Sequence, residues 1–598
     1  MLMKGMPLAN ASLDTLPPEI IENILILAAG SGDSSCIASI AATCKHLFSI
    51  VYRATDRHLW RSLFRTTFDD PRSLPGRPVA DADFDWRGHF QDREWARRFV
   101  AKHAQPLVIF DEGFISRRKR IYAVGYLQTS DDISHARALR SLLSVIHTSV
   151  PATSHPPHTR IAPVQTDQTG ARRPVPLVQL HRQTGTWPPE VAPVPYSENV
   201  RWLRDTLVRG LPSTLTATFV LQWANQLAQR RWYTSQAGLD FMKLTAHLGL
   251  FPIPTAEGHQ TSAGASPSAL VPRGPRVISD RRAGIDMSED AQRTRALALA
   301  RERAFNMDYL QARRNWGPYL RVRWPDHGED EGGDEGADDT DESDDDFELE
   351  LPPPLPHKLL PNWSWLAAAR VVAESVLRAN QPPEDVQRLR DWNNLREGAW
   401  LLPETAYSAA ARSGSEPEGR PSGEAFERDW AGVEGVWRRL VCWFAYHDLI
   451  GFNGTIDREP SEYSREEEPD YEEAWIIVPL SLRITGYSAC PIPEYADRPT
   501  IHVEGEMGGA EWLEEAADAG LVPDPDVRRV HGTVSMLADG NVRWSITSMN
   551  EDNTEDQWAS EAIQLGGVGS AMGSLGMWTG VNHEPDDPLG VIWQWRVG

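Results

Sequence analysis

The strongest constraint on the fold is an alternation of apolar and polar residues through about the last 125 residues of the chain. Between Trp475 and Tyr487, every second position is apolar: Ile476, Val478, Leu480, Leu482 and Ile484. Two further runs, 530–536 and 542–546, flank Asp539-Gly540, a dipeptide that favours a tight hairpin turn. Because successive strand residues point to opposite faces, the pattern indicates strands with one buried face. It therefore predicts an antiparallel barrel or sandwich.

Ahead of these strands, helical periodicity alternates with polar, proline-rich stretches. The predicted units are a three-helix segment at 12–65, a helical linker at 66–150, a disordered loop at 151–198, a helical segment at 199–252, a disordered loop at 254–289, and a β-rich domain at 290–598 with an acidic insertion at about 325–360. The predicted fold class is α+β, with N-terminal helices, a helical linker region and a C-terminal antiparallel barrel-like domain with long disordered loops.

The N-terminal segment carries more apolar surface than short helices can bury. Pro17 and Pro18 open a helix, where a fixed φ and a missing N–H cost little. Ile20, Ile24 and Leu27 then share one face, and a second apolar stripe adjoins it. Such surplus area is typical of a docking module that completes its core with a partner, and an ordinary three-helix subdomain is the alternative.

With Leu16-Pro17, the isoleucine-rich helix, Cys44-Lys45 and Trp60, this segment resembles the F-box. The resemblance departs mildly at the second helix, which Gly30 and Gly32 precede. It implies docking onto the Skp-type adaptor of a cullin–RING ubiquitin ligase. The residues that it would place in that contact are Leu16, Pro17, Ile20, Ile24, Leu25 and Cys44.

A second resemblance covers most of the chain from residue 200 onward. Short motifs at 315–318, 362–370, 435–439 and 558–578 follow the order seen in a large group of fungal F-box proteins. The β-rich C-terminal part of those proteins is taken to receive substrates. In them a short connection joins the first two motifs, whereas here the acidic and proline-rich segment lies between them.

Charge and composition narrow the classes of partner. The net charge is −24, and 329–350 contains a run of acidic residues without a basic one. Such a chain repels a phosphate backbone, so no nucleic acid is expected as a partner. The aromatic and arginine residues of 84–103 could suggest RNA binding, but they are predicted to pack against the N-terminal segment and the linker.

No apolar run approaches the ~18–20 residues that span a bilayer, so no membrane association is expected. The four cysteines contain no CxxC pair, which argues against a zinc site or a disulfide framework. These features predict a reduced protein of the cytoplasm or nucleus, with no metal or cofactor.

No pattern for catalysis is found. The glycine-rich stretch 566–576 matches neither GxGxxG nor GxxxxGK[ST], and glycines at bulges or close strand crossings explain it better. His583, Asp586 and Asp587 lie among prolines, which indicates a polar surface turn.

The sequence thus favours a non-catalytic substrate receptor, with the adaptor on 12–65 and an unknown target protein on the β-rich domain. The rival hypothesis is a ligand-binding or enzymatic β-barrel that the N-terminal helices brace. The tryptophans that would line its apolar cavity are Trp544, Trp558, Trp578, Trp593 and Trp595.

Overall fold

The computed structural model describes most of the helices and strands of the chain but not the segments between many of them. The described residues are 16–53, 57–71, 84–103, 132–149, 164–184 except 167–168 and 170–171, 197–212 except 209, 235–250, 289–310, 315–321, 354–386 except 383–385, 429–456, 471–509 except 472, and 527–597 except 569 and 571. The acidic run, 329–350, and all of the predicted loop 254–289 except its last residue lie outside these residues.

Four helices, one more than predicted, build the N-terminal unit. They are α1 (Pro18–Gly30), α2 (Ser35–Ala41), α3 (Lys45–Arg53) and α4 (His58–Thr67). The closing Trp60 lies on α4, where its indole donates to the carbonyl of Val51 at 2.8 Å and so joins α4 to α3. Helix α1 packs mainly against α4 and also contacts α2.

Two longer helices of the predicted linker extend this unit: α5 (Trp86–His103) and α6 (Asp132–His147). Helix α5 packs as predicted, because Trp86 and Phe90 are buried against Phe64 and Trp60. Arg93 is buried between the rings of Phe64 and Phe68. This arginine of 84–103 therefore packs inside the protein.

The segment 151–198 contains regular structure that its composition does not predict. A short hairpin pairs β1 (Val164–Thr166) with β2 (Arg172–Pro174), and α7 (Leu177–Thr184) follows. The few apolar residues here, Val175, Leu177 and Leu180, are buried, and α7 contacts the barrel wall. Contact with the barrel therefore accounts for regular structure in a segment whose sequence lacks apolar periodicity.

Three more helices connect the N-terminal unit to the barrel: α8 (Glu198–Thr206), α9 (Gln236–Leu248) and α10 (Glu289–Ala304). A 3-10 turn at Met307–Leu310 leads into a small antiparallel sheet of β3 (Asn315–Trp316), β4 (Tyr319–Arg321) and β5 (Leu359–Pro361). Because Arg321 pairs with Leu359, the acidic segment joins two neighbouring strands.

Helix α11 (Trp363–Asn380) lies at the centre of the molecule. Asn362 caps it by accepting the N–H of Trp365 at 3.2 Å, which explains the Asn-Trp motif. The helix packs on α9 and α10 and on two barrel strands, and it is buried on most sides rather than on one amphipathic stripe.

The C-terminal part is a closed barrel of eight antiparallel strands, which settles the choice between barrel and sandwich. The strands are β6 (Gly435–Trp443), β7 (Ala474–Ser488), β8 (Thr500–Gly508), β9 (Val527–Met536), β10 (Val542–Met549), β11 (Asp556–Gln564), β12 (Ser574–Gly580) and β13 (Leu589–Arg596). Each pairs with the next along the chain, and β13 pairs with β6 to close the ring. A helix, α12 (Tyr446–Ile456), lies between β6 and β7.

The barrel wall separates two apolar cores. The lumen holds inward side chains such as Trp437, Trp544 and Ile592. The outer face of β12 and β13 packs on α11, and there Trp593 and Trp595 join the helical core. The prediction that Trp593 and Trp595 line an internal cavity is therefore wrong, because α11 draws the outward residues of β13 into a second core.

The Trp-Gly-Pro motif fixes the small sheet to the barrel. Trp316 donates its indole N–H to Glu561 at 3.2 Å, and the Tyr319 hydroxyl donates to the carbonyl of Ala562 at 2.8 Å. Gly317 has a φ of +59°, and a Cβ there would lie 2.9 Å from Cβ of Glu561, so only glycine fits. Among the described residues, no helix combines the length and apolar character needed to cross a membrane.

Candidate docking face and barrel lumen

Helix α1 begins as its prolines predict. Pro17 stands at the N-cap, and its carbonyl accepts the N–H groups of Ile20 and Ile21 at 3.0 and 3.3 Å. Glu19 places a negative charge in the first turn, which the helix dipole favours. His58 on α4 lies 3.0 Å from Glu22 and ties the start of α1 to the helix that it packs on.

The two apolar stripes of α1 have different surroundings. Ile21, Leu25 and Ala29 are buried in the helical core. On the other stripe, Ile20 is 46% exposed, Ile24 is 38% exposed and Leu27 is 74% exposed. We call these last three residues the docking face. Three large aliphatic side chains one helical turn apart, all facing solvent, form the apolar surface that a protein partner covers.

The remaining predicted adaptor contacts lie around this face with different roles. Leu16 is half-buried against the core, and Pro17 is exposed. Leu25 is fully buried, so its side chain supports α1 from within and does not reach a partner in this conformation. Cys44 is half-buried, and its sulfur accepts the N–H of Leu47 at 3.5 Å, which caps the start of α3.

Buried polar contacts hold the N-terminal unit rigid under the docking face. Arg93 bonds to Asn199 on α8 and to Thr148 beyond α6, and burial lowers the pKa of its guanidinium to about 9. Asn199 in turn accepts the backbone N–H of Asp69 at 3.0 Å. These contacts join α5 and α8 to the residues that follow α4 and α6, and α4 is the helix on which α1 packs.

A polar cluster inside the barrel is centred on Arg439 of β6. Its Nε and Nη2 donate to Oε1 of Gln594 at 3.2 and 2.9 Å, and its Nη1 donates to Oγ of Ser560 at 3.1 Å. Arg439, Gln594 and Ser560 are all buried. Burial lowers the pKa of the guanidinium to about 10, so Arg439 stays charged at neutral pH.

Two other places that sequence patterns raised, the glycine-rich stretch and His583, lie in connections between barrel strands. The glycine-rich stretch connects β11 to β12, and a strand follows it where a phosphate loop needs a helix. His583 stacks on Trp316 with ring centroids 3.9 Å apart, in a turn between strands. Among the residues that the structure describes, no group of three or more histidine, cysteine, aspartate or glutamate side chains is placed to hold a metal ion.

Two features of these sites escaped the sequence patterns. Phe48 of α3 is 42% exposed and contacts Tyr52, although its place in an apolar run predicts burial. Arg439 follows Arg438 in the middle of an otherwise apolar strand. Two adjacent charges in such a strand were the sequence signal that could have indicated a buried polar cluster. The side on which each arginine lies depends on the strand register, which the sequence alone does not give.

Searches of family models, of curated proteins and of solved structures each found no match to this chain.

Proposed function

We propose that this protein is a substrate receptor of a cullin–RING ubiquitin ligase, with the docking face of α1 covered by a Skp-type adaptor. The observation that carries the proposal is the split of α1 into a buried stripe and an exposed apolar stripe. The chain uses Ile21 and Leu25 for its own core and leaves Ile20, Ile24 and Leu27 to a partner. The resemblance of 16–60 to the F-box supports the choice of adaptor.

In this proposal the barrel and its outer elements hold the target protein, and the receptor acts by position. It raises the local concentration of a target lysine near a charged ubiquitin-conjugating enzyme, so no residue of this chain makes or breaks a bond. A continuous series of helix contacts supports this role: α1 packs on α4, α4 on α5, α5 on α6, α6 on α9 and α9 on α11, which packs on the barrel. These contacts fix the target-holding part relative to α1.

The test is capture of a purified Skp-type adaptor by the full-length chain. We expect the double variant Ile20→Asp, Ile24→Asp to lose binding by at least tenfold, since two carboxylates would be buried in an apolar contact. The matched control is Ile133→Asp with Ile450→Asp, because both of these isoleucines are exposed and lie on other helices. Equal adaptor binding by the two double variants would refute the proposal.

A further inference from the structure

Lysine is rare in this chain and absent from its C-terminal part. Six of the 60 basic residues are lysines, namely Lys4, Lys45, Lys102, Lys119, Lys243 and Lys358. Residues 359–598, which include α11 and the whole barrel, contain 18 arginines and no lysine. Positive side chains in the part that would hold a target protein are therefore arginines rather than lysines.

The described lysines lie outside the barrel strands. Lys45 of α3 and Lys102 of α5 are exposed on the N-terminal helices. Lys243 of α9 is half-buried, with its Nζ 4.9 Å from the centroid of the Trp363 ring. Lys358 is exposed in a 3-10 turn that contacts β9. Of the lysines that the structure describes, Lys358 is therefore the only exposed one beside the barrel.

Hydrogen-bond geometry does not explain the arginines on the outer wall of the barrel. The buried Arg543 needs a guanidinium, since it binds both oxygens of one carboxylate. Arg483 differs, because its contact with Glu504 at 2.9 Å is partly exposed and a lysine can make it. Arg529 is exposed on β9 opposite a glutamate of β8, where an ammonium serves equally well. The chain thus uses arginine at two exposed positions that accept either cation.

Ubiquitin transfer distinguishes lysine from arginine. The neutral ε-amine of a lysine attacks the thioester carbonyl that joins ubiquitin to its conjugating enzyme. A C–N bond forms, the C–S bond breaks, and the leaving sulfur takes up the proton that the amine loses. A guanidinium stays protonated at neutral pH and has no lone pair to offer, so arginine keeps the charge without accepting ubiquitin.

Proximity acts on the receptor as it acts on the target. A lysine on the barrel would be held near the charged conjugating enzyme for as long as the complex lasts, whereas a bound target dissociates. Such a receptor would modify itself in competition with its target. We propose that the lysine-free surface of the barrel protects the receptor from its own ligase and leaves ubiquitin to the bound target, a role that rests on the proposed function.

The test is a reconstituted ubiquitination reaction without a target. It contains the full-length chain, a Skp-type adaptor, the cullin–RING assembly and a ubiquitin-charged conjugating enzyme. We expect the double variant Arg483→Lys, Arg529→Lys to receive at least twice as much ubiquitin as the unaltered chain, with the additional conjugates at positions 483 and 529. Both substitutions keep the positive charge of the outer wall, so the fold should be unaffected. Mass spectrometry of peptides that retain the ubiquitin remnant measures the modification at each position.

The matched control is Arg483→Gln with Arg529→Gln, which removes the same guanidinium groups without adding an amine. It should be modified like the unaltered chain, and an equal gain of ubiquitin in this control would refute the protection. Adaptor capture and discharge of ubiquitin onto free lysine are measured in the same mixtures. If the adaptor binds and free lysine accepts ubiquitin while positions 483 and 529 stay unmodified, the protection is refuted and the proposed function stands. If neither the unaltered chain nor the variants bind the adaptor, both fail.

Discussion

Arg543 and Glu561 form a bidentate ion pair on the outer wall of the barrel, with Nε and Nη2 of the arginine 2.9 and 2.7 Å from the two carboxylate oxygens. Glu561 also accepts hydrogen bonds from Ser545 and from the indole of Trp316. Burial alone would lower the pKa of Arg543, but the Glu561 carboxylate outweighs that effect and the pKa is raised. The pair is therefore the anchor between the small sheet and strands β10 and β11.

Loss of one member of this pair should destabilise the barrel strongly. Glu561→Leu leaves the buried guanidinium of Arg543 without its counterion, and we expect a cost of about 3–5 kcal/mol in unfolding free energy. The double variant Arg543→Met, Glu561→Leu should lose much less than the sum of the two single variants, because no unpaired charge remains. Urea unfolding followed by tryptophan fluorescence measures each value.

The control for this pair is an exposed ion pair on the same barrel. Arg483→Met breaks the contact with Glu504 on the outer surface and should cost less than about 1 kcal/mol. If Glu561→Leu were no more destabilising than Arg483→Met, the pair would not anchor the sheet.

The two stripes of α1 should respond differently to truncation. Leu25→Ala opens a cavity in a fully buried site and should cost about 2–5 kcal/mol of stability. Ile24→Ala removes a partly exposed side chain and should change stability by less than about 1 kcal/mol. Thermal unfolding of both variants checks the prediction, and a larger loss for Ile24→Ala would mean that the docking face belongs to the core.

The sequence predicted the existence of α1 but not the orientation of its stripes. Both stripes are apolar, so periodicity indicates a helix without indicating its inner side. The contacts of α1 with α4 decide the matter, because they bury Ile21 and Leu25 and leave Ile20 outside. For the same reason, the sequence could not show that Leu25 is buried whereas Ile20 and Ile24 face solvent.

For the barrel, alternation and the Asp539-Gly540 turn predicted β7, β9 and β10, and the structure confirms them. The turn closes with Gly540 at a φ of +86° and its N–H bonded to the carbonyl of Leu537 at 3.0 Å. The pairing of β13 with β6 was not predictable, because it joins strands far apart in the sequence. Because this pairing was unknown, the sequence could not predict that Trp593 faces outward or that Arg439 faces inward.

Removal of the acidic run should leave the fold intact. Its connection, 322–358, starts and ends on the paired strands β4 and β5, so deletion of 327–350 brings no distant ends together. The connection shortens from about 37 to about 13 residues, which lowers the entropy cost of closing it by about 1 kcal/mol. We expect an unchanged or slightly raised melting temperature.

Replacement of 327–350 by an uncharged glycine-serine segment of equal length separates the effects of charge and length. This variant should melt like the unaltered chain and should capture the adaptor equally well. A clear fall in the melting temperature of either variant would show that the acidic run contributes contacts to the folded state.

Acid should destabilise the contact between α9 and the barrel through His247. This imidazole is fully buried, and its Nδ1 accepts the backbone N–H of Gly566, in the β11–β12 connection, at 3.0 Å. Burial, with a smaller effect of the nearby charge of Lys243, holds the pKa of His247 well below 6.5. The folded protein therefore keeps the ring neutral, whereas the unfolded chain takes up a proton near pH 6.5.

Because the unfolded chain takes up a proton that the folded protein does not, the unfolding free energy falls as the pH falls. Stability from the neutral ring is fully present above about pH 6.5 and is lost as the pH falls towards the lowered pKa, by about 1.4 kcal/mol at about pH 5.5. His247→Asn keeps an acceptor for Gly566 without a titrating group, so its unfolding free energy should fall less than that of the unaltered chain between about pH 8 and pH 5.5. Replacement of the exposed His447 by asparagine is the control for loss of a histidine outside the core. If the stability difference between His247→Asn and the unaltered chain were the same at both pH values, His247 would not be a buried neutral group.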